Sequence, residues 1–163
     1  MSYHAGYKMK ALRAHVERCL GRRIAQSMSV EMSNIELMLN PRNMGLGVDI
    51  AQQRYVAEFL IERLPFQKYD PAILFANVAA WLMDNDEDRE EQLGELKDPE
   101  IEVVLEDEQT AEVLIQISFE EPIKLVKDAQ GPIVWQGQCW SIMQYDVWVA
   151  ENLREVVTAH AQD

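Results

Sequence analysis

Few side chains in this sequence could do covalent or acid–base chemistry. There are two cysteines, Cys19 and Cys139, and three histidines, His4, His15 and His160, in 163 residues. Nucleophilic catalysis needs a base within reach of the nucleophile and a third group that orients the base. His15 falls on a predicted helix beside a basic face, where neighbouring cations disfavour imidazolium. His4 and His160 fall near the chain ends, where order is poor. Cys19 reads as a small apolar filler of its helix, although Arg22 and Arg23 nearby favour a thiolate. Cys139 lies in a hydrophobic stretch and reads as core. Gly45-Leu46-Gly47 lacks the lysine and helix start of a phosphate-binding loop and reads as a turn. The acidic run of Asp84, Asp86, Glu87, Asp88, Glu90 and Glu91 lacks the spacing, turn glycine and distal glutamate of a calcium loop, and reads as a solvated loop. The expectation is no catalytic residue, no metal site, no cofactor and no enzymatic activity.

Charge is the stronger signal. The chain carries 15 Lys+Arg against 28 Asp+Glu, a net of -13. Such a field repels phosphate backbones and argues against a duplex-gripping protein. The charge is also uneven. Residues 1–70 hold 10 basic and 7 acidic side chains, a net of +3; residues 71–163 hold 5 and 21, a net of -16. Lys8, Lys10, Arg13, Arg18, Arg22 and Arg23 face only Glu17 before residue 26. Two readings of this asymmetry stand: both regions are solvated faces, or they meet head to tail between subunits, where opposite charge sets register and encounter rate. No apolar run approaches the roughly 18 residues of a membrane span. Two cysteines make a poor disulfide framework and fit a reducing cytoplasm.

The elements that must position these groups follow from periodicity. Met9, Leu12, Val16, Leu20 and Ile24 recur at three- and four-residue spacing, predicting an amphipathic helix over 8–26 that passes through Gly21. Ile35, Leu37 and Leu39 alternate with polar positions, predicting a strand over 30–39 that stops at Asn40-Pro41. A second strand, 53–64, puts Tyr55, Ala57, Phe59 and Ile61 on one face. Asp70-Pro71 supplies an N-cap and a first-turn proline for a helix through Ile73, Leu74, Val78, Trp81 and Leu82, which breaks up in the acidic run from Asp84. Residues 101–106 and 112–119 alternate on either side of a polar turn at 107–110 and predict a hairpin. Residues 122–127 and 132–136 predict a second hairpin around Asp128-Ala129-Gln130-Gly131. Residues 151–160 suit a short helix. The sum is a single α+β domain over 1–163, a mostly antiparallel sheet with helices packed on one face.

The end of the chain is aromatic. Trp135, Trp140 and Trp148 put three of the four tryptophans within 14 residues, with Tyr145 among them. They are either ordinary core or anchors of a protein contact, since Trp and Tyr are enriched at interface hot spots. Residues 138–163 are thus a candidate docking arm. The candidate oligomer-interface residues are Arg18, Arg22 and Arg23 on the basic helix, and Trp140, Tyr145 and Trp148 on the tail.

Four stretches carry a family resemblance: Met9-Lys10-Ala11-Leu12-Arg13; Arg54-Tyr55-Val56-Ala57-Glu58-Phe59; Asp70-Pro71-Ala72-Ile73-Leu74 with Ala80-Trp81-Leu82; and the acidic hairpin from Ile101 to Phe119 followed by Pro122-Ile123-Lys124-Leu125-Val126. In their order and wording they resemble the GpR-type tail completion proteins of P2-like contractile phages, over roughly residues 8–136. The resemblance implies a virion structural protein, assembled in the bacterial cytoplasm, at the head-proximal end of a phage tail. It implies a ring, usually hexameric, whose partners are its own copies, the tail tube, possibly the sheath, and the head–tail connector. A ring needs two different patches per subunit, which the basic helix and the acidic second half would supply. A negative lumen would let DNA slide through without sticking. The competing expectation is an acidic adaptor or a DNA-mimic inhibitor that acts by protein–protein binding.

Overall fold

A computed structural model of the chain describes residues 6–43, 47–86, 89 and 98–143. In chain order the elements are α1 (Tyr7–Leu20), α2 (Arg22–Ala25), β1 (Met28–Asn43), β2 (Val48–Leu64), α3 (Pro71–Asn85), β3 (Glu100–Leu105), β4 (Ala111–Lys127), β5 (Ile133–Trp135) and β6 (Gln138–Ile142). The strand order is β1-β2-β4-β6-β5, with β3 also paired to β4. The fold is therefore α+β and built mostly on antiparallel sheet, as the periodicity predicts. Its residues gather into two compact units. The larger takes the described residues of Lys8–Glu36 and Arg54–Glu120, the smaller those of Met1–Tyr7, Leu37–Gln53 and Glu121–Asp163.

The core of the larger unit forms where strand and helix periods meet. Tyr55, Ala57, Phe59 and Ile61 from β2 and Val113, Ile115, Ile117 and Phe119 from β4 are all buried, one face of period two. Leu12, Val16 and Leu20 from α1 and Leu74, Val78 and Leu82 from α3 pack on that same cluster, so the helices cover one side. Aromatic contacts lock the junction: the Phe119 ring lies 5.9 Å from Tyr55 and 6.3 Å, edge-on, from Trp81. Asp70 caps α3 as expected, its carboxylate accepting from the Ala72 amide at 3.0 Å ahead of Pro71 in the first turn. The expected β3–β4 hairpin is present, with Ile101 opposite Ile115 and Val103 opposite Val113.

Three expectations need correction. The first helix does not run unbroken to residue 26. Gly21 adopts φ 80 and ψ 160, a region open essentially to glycine, so α1 ends at Leu20 and α2 restarts at Arg22. The first strand does not stop at Pro41 but continues to Asn43; β1 is an edge strand, a place where proline is tolerated. The second hairpin pairs differently. In the smaller unit β5 lies on β6, not on β4, and β6 takes the place beside β4 with Leu125 opposite Ile142. The turn that decides this is Gln136-Gly137, with φ 51 and 71, which closes a two-residue loop between Trp135 and Gln138. Two consecutive positive φ values give the twist that a tight hairpin requires.

Candidate functional site

The basic candidates lie at the junction of α1 and α2. Arg18 stands in the last turn of α1, where a cation complements the helix dipole. Arg22 and Arg23 open α2. All three are exposed, and among the described residues none has an ion-pair partner, whereas Arg13 is held by Glu17 at 3.0 Å. The chain breaks at Gly21 between the two helices, and residues of both line an open groove of about 500 Å³. Ala14 and Ala25 are among its lining residues, with Arg18 and Arg22 at its side.

A second surface was not legible in the sequence. All six residues of β3 are exposed, including Ile101, Val103, Val104 and Leu105, the last at 68%. Its alternation of glutamate and aliphatic residues reads as a half-buried strand. The helices do not cover it, because β3 is paired only to β4 and forms an edge of the sheet. At the other edge, on β1, Ile35, Leu37 and Leu39 are likewise exposed. Exposed apolar side chains on an unpaired edge are a template for another chain, which proteins ordinarily suppress.

The aromatic candidates divide. Trp140 is buried at 6% exposure in the smaller unit, donates its indole N–H to the Trp135 carbonyl at 2.9 Å, and packs against the Trp135 ring at 5.4 Å. Lys127 lies 5.8 Å over the Trp140 ring. Cys139, expected in the core, is half-buried and free. Tyr145 and Trp148, the expected 151–160 helix, His4 and His160 lie outside the described residues, as does most of the 138–163 docking arm.

The acidic run needs a correction at Asp86. It is not solvated but 2% exposed, clamped between Lys8 Nζ at 2.6 Å and Arg89 Nη1 at 2.8 Å. The same cations donate to β4 carbonyls past the end of its pairing with β3: Lys8 to Glu120 at 2.8 Å and Arg89 to Ser118 at 2.8 Å. Glu120 is held in turn by Arg54 at 3.3 Å. These charges satisfy backbone and one another, which is the condition for burying them. A matching pair, Lys124 and Asp49 at 2.6 Å, is buried in the smaller unit, where Gly6 N–H also donates to buried Glu121.

Cys19 Sγ and His15 Nε2 stand 3.6 Å apart, one turn of α1 from each other. Among the described residues nothing orients the other ring nitrogen of His15, so the pair lacks the third member of a nucleophilic triad. The Tyr69 hydroxyl donates to the Cys19 carbonyl at 3.4 Å; burial first, and electrostatic repulsion from Cys19 second, raise its pKa above 10.0. Among the described residues no group of three His, Cys, Asp or Glu could hold a metal, and no helix is long and apolar enough to cross a membrane. The surfaces described here are suited to binding other chains.

Comparison with known proteins agrees. Residues 6–144 match the family model of the P2 phage tail completion protein R (GpR). The chain belongs to this family. The match takes in all six strands and the three helices, so the GpR assignment rests on the whole described fold. This GpR protein is also 29% identical over 112 residues to an uncharacterised 19.2 kDa protein from the rep–hol intergenic region of Haemophilus phage HP1 (strain HP1c1). That alignment covers 68% of the chain and 66% of the relative, a little under two thirds of the latter's length. No solved structure matches. Membership gives this GpR protein a structural role in a phage tail.

Proposed function

We propose that this GpR protein completes the tail as a homo-oligomeric ring at its head-proximal end and prepares it for joining to the head. Its partners are its own copies, the last layer of the tail tube, the sheath and the head connector. The observation that carries the reading is a pair of unlike surfaces on one unit: arginines on α1–α2 without an ion-pair partner among the described residues, and the exposed edge strand β3. Unlike patches make heterologous contacts, and heterologous contacts close into rings when the rotation allows. A ring that binds the tube without repeating it would end elongation at a defined length. The test is deletion of the gene from the phage, followed by electron microscopy of the lysate. Tails of irregular length and unjoined heads are expected. Tails of uniform length carrying heads would overturn the proposal.

A further inference from the structure

We propose that the groove between α1 and α2 receives edge strand β3 from a second copy of this chain. The inference rests on the ring reading above and names the surfaces that would build it.

Three observations meet here. The groove has small apolar residues, Ala14 and Ala25, between exposed Arg18 and Arg22, which find no ion pair among the described residues. In a chain of net charge -13, three neighbouring arginines without a carboxylate partner among the described residues are a cationic surface open to something outside the molecule. The second is the form of β3. Its alternation puts Glu100, Glu102 and Val104 on one face and Ile101, Val103 and Leu105 on the other, and among the described residues its outer backbone edge is unpaired. None of these residues is buried, and neither glutamate has an ion pair among the described residues. The third is that groove and strand belong to the same unit and that the face of Glu100, Glu102 and Val104 matches the groove in chemistry: guanidinium against carboxylate, alanine against valine.

Charge selects the occupant. A nucleic-acid strand would also offer anions to the arginines, but it offers no aliphatic side chain to the alanines of the groove. A second copy offers carboxylates and aliphatic groups on one strand. Arginine–carboxylate pairs that lose water at such a contact are charge-assisted and often bidentate, so they fix register as well as affinity. Because groove and strand are different patches, each copy would use one toward each neighbour, and the contact repeats around an axis.

The test is a charge exchange read by light scattering on a sizing column. Arg22→Glu on the groove's lining, with Arg23→Glu next to it, makes this surface acidic; Glu100→Arg with Glu102→Arg makes the strand basic. Each variant alone opposes like charges and should weaken self-association by about tenfold or more. An equimolar mixture pairs acidic groove with basic strand and basic groove with acidic strand, and should restore assembly with the two variants alternating. Circular dichroism establishes that each variant folds; if either does not, the milder Arg22→Gln with Arg23→Gln replaces it and should still weaken association. Oligomers unaffected by the exchanges, a mixture of folded variants that stays dissociated, or a wild type monomeric at every concentration would each overturn the inference. The deletion phenotype in the phage is independent of all three, so the ring reading can survive the loss of this interface.

Discussion

Asp86 shows how far a residue's role can depart from its neighbourhood in the sequence. It sits in the most acidic stretch of the chain, yet it alone of the described acidic residues there is buried, because Lys8 and Arg89 converge on it. Removing one member of a buried ionic cluster leaves the others uncompensated and typically costs about 3–5 kcal/mol. Asp86→Ala should lower stability by about that amount in urea unfolding, whereas Asp84→Ala, at an exposed position, should change it by less than about 0.5 kcal/mol. Asp107 works differently. Its carboxylate accepts from the backbone amides of Gln109 and Thr110, at 2.7 Å each, and this holds its pKa below 3.8. A depressed carboxylate stabilises the turn above its unfolded value and loses that contribution as pH falls through the folded one. The protection of the Gln109 and Thr110 amides, taken relative to the intrinsic exchange rate at each pH, should therefore fall as the solution is taken below pH 3.8, an acid dependence that Asp107→Asn should abolish.

At the scale of elements, local signals succeeded wherever the chain's own periodicity decides the structure. The buried stripe of β2, the capped α3 and the β3–β4 hairpin all follow from alternation, helical spacing and turn chemistry. They failed where one residue's backbone overrides the pattern. Met9 to Ile24 keeps helical spacing across Gly21, and spacing alone cannot show that this glycine takes a conformation outside the helix. Nothing lies within 4 Å of a side chain added there, so the cost of one is conformational. Gly21→Ala should destabilise the protein by about 1–3 kcal/mol. If the strain is relieved by joining α1 to α2, far-ultraviolet circular dichroism should show added helix together with a lower melting temperature. The hairpin correction has the same origin. Asp128 to Gly131 carries strong turn residues, but the tight loop is the less conspicuous Gln136-Gly137, which puts β6 rather than β5 beside β4.

For the whole molecule, the decisive property is assembly. A ring of six copies of 18.8 kDa would weigh about 113 kDa. On the proposed ring reading, light scattering across a range of protein concentration should find that species, and contacts that pair opposite charges near the surface would weaken it as salt rises. The amino-acid sequence by itself determined the α+β class, the principal core residues, the family and the uneven distribution of charge, since each is a matter of composition, period or wording along the chain. It also marked Arg18, Arg22 and Arg23, whose exposure follows from a face that the apolar stripe of α1 leaves outside. Tertiary structure decided what those signals could not carry. It buried Asp86 by bringing Lys8 across 78 residues of chain, and it buried Trp140 by closing the β5–β6 hairpin. It also left β3 uncovered, because α1 and α3 pack over β2 and β4 and a strand's place at the edge of a sheet is set by its partners. Period and composition report which side of an element is apolar; whether anything covers that side depends on elements far away in the chain.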